Sequence, residues 1–178
     1  ANFPKATTIE QQAFYQCSSL TSADFPEATT IERYAFSGCS KLSSVNFPLV
    51  TSIGYYYKSS SAGYAFEGCV SLKSAAFPSV TAIYQYTFYG CDALTSLDLA
   101  TNEDCVLSTL DVDVFRINDT QTQEGNITLN IGTANSSNVS GNTLTVSGNS
   151  YTFSKINVTG GSQSELTASS PNGNGVAW

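Results

Sequence analysis

The chain contains no histidine and no methionine, and its one tryptophan is Trp178. Without histidine, neither a Ser-His-Asp nor a Cys-His arrangement can activate a nucleophile, and imidazole-ligated metals are excluded. Charge is also scarce. Asp, Glu, Lys and Arg make up 12% of the 178 residues, with seven basic side chains against fourteen acidic ones. The basic residues (Lys5, Arg33, Lys41, Lys58, Lys73, Arg116, Lys155) are scattered singly, and the net charge is -7. Nucleic acid is therefore an unsuitable partner, since phosphate binding needs clustered Lys and Arg. No apolar run approaches the ~20 residues that cross a bilayer. With no start Met and no signal-like segment, the chain reads as a processed or trimmed product. Its length fits one domain, or one domain with a small appendage.

What is present is repetition. Ile-x-x-x-Ala-Phe-x-x-Cys-x-x-Leu-x-Ser-x-x-Phe-Pro begins at Ile9, Ile31, Ile53 and Ile83, with Thr87 for Ala and Leu99-Ala100 for Phe-Pro in the fourth copy. Phe14, Phe36, Phe66 and Phe88, then Cys17, Cys39, Cys69 and Cys91, step by 22, 30 and 22 residues. A fixed period of this size predicts a solenoid, each unit burying its apolar face against its neighbours. The longer step comes from eight extra residues between Ile53 and Phe66, and an insertion that preserves the flanking phase should loop out of the coil.

Leu20-Thr-Ser-Ala-Asp-Phe25 reads as a short strand, with Leu20, Ala23 and Phe25 inward and Ser22 and Asp24 facing solvent. Stacked copies form a parallel sheet whose exposed face carries Ser22, Ser44, Ser74 and Ser96 beside Asp24, Asn46, Ala76 and Asp98. Pro4, Pro26, Pro48 and Pro78 follow the strand, where a missing N–H ends the ladder. Ile53 and Phe66, with their equivalents, supply the second wall of the core.

These residues resemble the BspA-like class of leucine-rich repeats, whose units combine the same period with Ala-Phe, Cys and Phe-Pro. The resemblance is close over residues 3–99. It implies a right-handed leucine-rich solenoid with a parallel sheet on one face, and a family found largely on cell surfaces, often in adhesion or host contact. A degenerate fifth unit follows, in which Leu110 and Val114-Phe115 stand for Ile and Ala-Phe, and Leu129 and Ile131 for the strand residues. The solenoid is thus expected over residues 1–131.

Beyond it, Asn142–Phe153 alternates apolar and polar residues around Gly148-Asn149, a hairpin signal. A solenoid needs a terminal unit over its last open layer, so residues 132–161 are expected to form a β-hairpin cap. Residues 162–178 are a Gly-, Ser- and Asn-rich tail, with Trp178 as the one residue able to anchor it.

The candidate functional groups are few. Four cysteines of common phase should stack in a column as reduced, buried thiols, with disulfides as the alternative: zinc needs a tetrahedron, and a disulfide usually needs closer Cβ atoms than the ~4.8 Å of stacked strands. Cys105 stands outside that column. Asp111 and Asp113, downstream of Glu103-Asp104, read either as a solvated edge or as a calcium site, without the Asp-rich loop such a site normally has. No catalytic constellation, cofactor site or resident metal is expected. Tyr34, Tyr64 and Tyr86 precede the core aromatic, and Tyr55, Tyr56 and Tyr57 lie in the insertion. Tyrosine suits recognition because it joins rigid area to a polar tip, though the rings could equally cover the outside of the coil. Asn118, Asn126, Asn135, Asn138 and Asn157 are candidate N-glycosylation acceptors by their Asn-x-Ser/Thr context.

The reading is a non-enzymatic extracellular or cell-surface adhesion module that contacts protein or surface glycan. Its contact surface would comprise Tyr55, Tyr56, Tyr57, Tyr64, Asp24, Asn46, Asp98 and Trp178. The alternative is a structural subunit of an extracellular filament, copies joining head to tail. Its motive is that Ala1-Asn2-Phe3-Pro4 starts inside a repeat, leaving apolar surface and a strand edge.

Overall fold

The computed structural model describes residues 1–55, 63–118, 121–122 and 124–160. The strands in chain order begin with β1 (Thr8–Ile9), β2 (Thr30–Glu32), β3 (Ser44–Asn46), β4 (Ser52–Tyr55) and β5 (Ser74–Phe77). Next come β6 (Ala82–Ile83), β7 (Ser96–Leu99), β8 (Thr109–Leu110), β9 (Arg116–Asn118) and β10 (Gln121–Thr122). The last are β11 (Thr128–Gly132), β12 (Val139–Ser140), β13 (Thr143–Val146), β14 (Asn149–Thr152) and β15 (Lys155–Thr159). Helix is confined to two short 3-10 segments, Glu124–Asn126 and Thr133–Asn138, among the described residues.

Two parallel sheets carry the repeat. The first has the order β1-β2-β4-β6-β8 and aligns Ile9, Ile31, Ile53, Ile83 and Leu110. The second has the order β3-β5-β7-β11-β15 and aligns Val45, Ala75, Leu97, Leu129 and Ile156. Between them, the Ala-Phe turns are joined by a further backbone ladder. Phe14, Phe36, Phe66 and Phe88 each donate their N–H to the carbonyl of the residue before the next unit's Phe, at 2.8 to 3.0 Å. Neighbouring units therefore bond on three sides, satisfying the backbone of strands only two to five residues long.

The core is a stack of aromatic layers. Phe14–Phe36, Phe36–Phe66, Phe66–Phe88 and Phe88–Phe115 lie 5.2, 5.2, 5.6 and 5.9 Å apart between ring centroids, all within 10° of parallel. Phe47 and Phe77 form a second column at 5.8 Å. Each such ring contributes ~1.5–3 kcal/mol by burial, and stacking adds ~0.5–1.5 kcal/mol per pair. The first copy is looser. Asn2 and Asp24 make a single bridge rather than a strand pair, Leu20 and Ala23 are half-buried, and Phe3 is 48% exposed.

Two glycines that bracket the insertion in sequence, Gly54 and Gly63, approach each other closely. A Cβ on Gly63 would lie 2.6 Å from the Cα of Gly54, so neither backbone could approach the other with a side chain in place. Gly54 also has φ +87°, a left-handed conformation that side chains disfavour. Gly63 then resumes the ladder, donating to Gln85 O at 2.7 Å and accepting from Tyr34 N at 2.9 Å.

At the C-terminal end, β12, β13 and β14 form an antiparallel sheet whose β13–β14 turn falls at Ser147-Gly148. Tyr151 and Phe153 meet Phe115 edge-on at 5.4 and 5.6 Å. The segment 132–161 is not all hairpin, however. β15 crosses back and extends the second parallel sheet, pairing Asn157 with Asn130 and Val158 with Ile131.

Candidate interaction surface

Two side-chain rows line up along the units, and a third group of thiols lies inside. The serine row faces outward from the second sheet as expected. Ser22, Asp24, Ser44 and Asn46 are exposed, Ser74, Ser96 and Asp98 half-buried, and together they line an open trough of ≈ 510 Å³. Asn130 donates to Asp98 Oδ1 at 2.6 Å and Asn157 to Asn130 Oδ1 at 2.8 Å, extending the row by two strands.

The tyrosine row arises from a backbone feature that periodicity did not reveal. Gln12, Tyr34, Tyr64, Tyr86 and Asp113, the residues before each Ala-Phe equivalent, all have φ between 49° and 60°. Left-handed backbone at a bulky residue costs ~1–3 kcal/mol, and such strain gathers where surroundings or function require it. Here it turns three rings outward into one stack. Tyr34–Tyr64 and Tyr64–Tyr86 lie 5.1 and 4.9 Å apart at 6° and 18°. Tyr15 meets Tyr34 edge-on at one end, Tyr89 meets Tyr86 edge-on at the other, and the Arg33 guanidinium lies 4.8 Å over the Tyr34 ring. Burial between its neighbours raises the Tyr64 hydroxyl above its ordinary pKa. The rings are half-buried, so each presents an edge and a hydroxyl rather than a face.

The thiols are free. Cys39, Cys69 and Cys91 are buried and donate to the carbonyls of Phe14, Phe36 and Phe66, one unit back, at 3.1 to 3.2 Å. Burial pushes the Cys39 thiol up to about 12 and Cys91 well above its ordinary value. Cys17 departs from the expected column by being exposed; it belongs to the unit of β1, the edge strand of the first sheet. Cys105, outside the column, follows the same habit and donates to Val80 O at 3.3 Å.

Among the expected contact residues, Asp24, Asn46 and Asp98 share the trough, while Tyr64 belongs to the tyrosine row. Tyr55 ends β4 where the insertion begins, and Tyr56, Tyr57 and Trp178 lie outside the described residues. The Asn sequons divide. Asn118 and Asn126 are exposed and Asn138 is half-buried. Asn135 is corrected as an acceptor: it is fully buried, accepting from Leu107 N at 2.7 Å and donating to Cys105 O at 2.9 Å. Asn157 is half-buried with its amide committed to Asn130. Asp113 pairs with Arg116 at 3.3 Å, and no group of three or more His, Cys, Asp or Glu suited to a metal occurs among the described residues.

The BspA-type leucine-rich repeat model matches residues 7–155 in six copies. The chain belongs to that family. The match takes in the fifth unit and reaches β15, well past the stretch where the sequence pattern is plain. Among solved structures, the leucine-rich repeat protein of T. pallidum is similar at 25% identity and a TM-score of 0.56. The likeness covers 71% of this chain and 52% of that one, so this chain spans about half its length. A search of curated proteins returned no match. Members of such repeat families characteristically bind proteins, and they are generally not catalysts. No helix among the described residues is long and apolar enough to cross a membrane.

Proposed function

We propose that the chain is a non-enzymatic extracellular recognition module, a right-handed solenoid closed at one end by its β13–β14 hairpin, that adheres to a protein on a cell surface. The observation that carries this reading is the Tyr34–Tyr64–Tyr86 row with Arg33 at its side. Tyr and Arg are the residues most enriched at interface hot spots, and rings already locked by stacking lose little entropy on binding. Gly63, which ends the insertion in sequence, directly precedes Tyr64 of the row. Asn118 and Asn126, exposed sequons, suit glycosylation in a secreted chain. The test is surface plasmon resonance against a panel of purified extracellular-matrix and cell-surface proteins, comparing the wild type with a Tyr34→Ser/Tyr64→Ser/Tyr86→Ser variant. Saturable binding that falls at least about tenfold in the folded variant supports the reading; binding indifferent to the three substitutions refutes it.

A second reading, a filament subunit joined through its ends, is favoured by an apolar groove of Phe3, Ile9, Phe14 and Phe25. Against it stands the hairpin, which covers the β8 edge at the opposite end. Ser147 Oγ donates to Ser108 O at 2.6 Å, Asn149 Nδ2 to Leu110 O at 2.9 Å, and the Tyr151 hydroxyl to Asp111 O. Light scattering of the purified chain over a concentration series separates the two, since a filament subunit grows in mass and a recognition module does not.

A further inference from the structure

The serine trough is chemically unlike the tyrosine row. Among the described residues, no side-chain hydrogen bond engages Ser22, Asp24, Ser44, Asn46, Ser74 or Ser96. Elsewhere in the repeat, comparable groups are used up. The hydroxyls of Thr29, Thr51, Thr81 and Ser108 each donate to a carbonyl one unit back. The trough's polar capacity is thus held open on a rigid sheet, with one hydroxyl per strand at a repeat of ~4.8 Å.

We infer that the trough is a second binding site, for a neutral polyhydroxylated chain such as an oligosaccharide. This rests on the reading of the protein as a recognition module and names a partner for a different face of it. The lining residues carry no basic side chain and two carboxylates, Asp24 and Asp98, which disfavours phosphate, sulfate and uronate polymers. Ser, Ala and Asn line it without an aromatic or Arg, the reverse of a protein hot spot. Sugar hydroxyls are what this set can satisfy. A serine hydroxyl both donates and accepts, a carboxylate takes two donors, and an amide offers both roles to neighbouring hydroxyls. From Ser44 to Ser96 the row spans two strand steps, about 10 Å, and Ser22 of the first unit lines the same trough, so the ligand is an extended oligomer rather than one sugar. The site ends at Asp98, because beyond it Asn130 and Asn157 bond to one another and to Asp98.

The experiment titrates the purified chain with cellohexaose, laminarihexaose and mannohexaose, and with heparin and polygalacturonate as anionic comparisons. Calorimetry and amide chemical-shift perturbation are the readouts. The expected result is saturable binding of at least one neutral hexasaccharide with shifts centred on Ser44 to Ser96. The Ser44→Ala/Ser74→Ala variant should melt as the wild type does and bind about tenfold more weakly, while Tyr34→Ser/Tyr64→Ser/Tyr86→Ser binds the sugar unchanged. The proposal is overturned if no neutral hexasaccharide binds, if the serine variant binds as well as the wild type, if an anionic polymer binds more tightly, or if the tyrosine variant loses the sugar. Loss of protein binding in the tyrosine variant with the sugar site intact would uphold both sites separately.

Discussion

On the sheet of β1, β2, β4, β6 and β8, the residue just ahead of a strand turns its hydroxyl onto the preceding unit, as Thr29 does to Thr7 O and Thr51 to Thr29 O. On the sheet of β3, β5 and β7, the hydroxyl of the serine that opens the strand points away and bonds to no other group of the chain among the described residues. The same short polar side chain thus serves two purposes within one repeat. In the first sheet it doubles a backbone ladder, since Thr29 and Thr51 also donate their N–H groups to those carbonyls. In the second it lies on a surface that the ladder alone holds flat. The difference teaches that periodic polar residues in such a unit are not one class, and that only their hydrogen-bond partners sort structural rows from recognition rows.

The deepest break in that comparison comes from the core both sheets share. Phe66 stacks on Phe36 and Phe88 and touches Phe47 and Phe77, so Phe66→Ala opens a cavity in the middle of the stack. A loss of ~3–5 kcal/mol is expected in chemical denaturation, with both sheets unfolding together. Separate transitions for the two sheets would show that the aromatic stack does not couple them.

Alkali acts next. Cys39 is held neutral by burial, with its pKa raised from 9.0 to about 12. In the unfolded chain the thiol loses its proton near 9, so above that pH the unfolded state binds fewer protons and stability falls. The stabilising effect is complete below pH 9 and is lost as pH rises from there to about 12, reinforced by Tyr151, whose hydroxyl burial also pushes up to about 12. The melting temperature should be flat across neutral pH and drop through that window. A Cys39→Ala variant that shows the same drop would move the cause to Tyr151 and the remaining thiols.

Gly63→Ala tests the close approach of the two glycine backbones that join the first sheet to the turn ladder. A Cβ there would sit 2.6 Å from Gly54 Cα and 2.8 Å from Gly54 O, both backbone atoms unable to swing aside. The expected cost is ~1–3 kcal/mol. A neutral substitution would mean that the two glycine backbones do not need their close approach.

Much of this was readable in the chain before any coordinates. Register follows from phase: Ile31, Ile53 and Ile83 align because their spacing places them so, and Leu129 and Ile131 join Leu97 and Leu99 despite the lost Phe-Pro. β15 was not separated from the hairpin because Ile156 and Val158 also alternate with polar residues; only the Ser154-Lys155 pair, which shifts their phase from that of Tyr151 and Phe153, marks the change of sheet. The sequon at Asn135 misled for a related reason. Three residues of context say nothing of burial, and there the amide satisfies the backbone of Leu107 and Cys105. The tyrosine row was visible as Tyr34, Tyr64 and Tyr86 in phase, but which way the rings turn depends on left-handed backbone that periodicity cannot encode.

The smallest effects sharpen the comparison most directly. Thr81→Val keeps shape and removes a hydroxyl that donates to Thr51 O at 3.1 Å, so it should cost ~0.5–1 kcal/mol. The loss stays modest because Thr51 O still accepts from the N–H of residue 81 at 2.9 Å and is not orphaned. Ser44→Ala, on the exposed face of β3, removes a hydroxyl with no partner to lose, and its stability should stay within about 0.5 kcal/mol of the wild type. Measured in one background by urea denaturation, the two substitutions should therefore fall in the order threonine, then serine. If Ser44→Ala proved the costlier, the serine row would be structural, and its availability to any ligand would have to be abandoned. If the order holds, the serines are spared for something outside the fold.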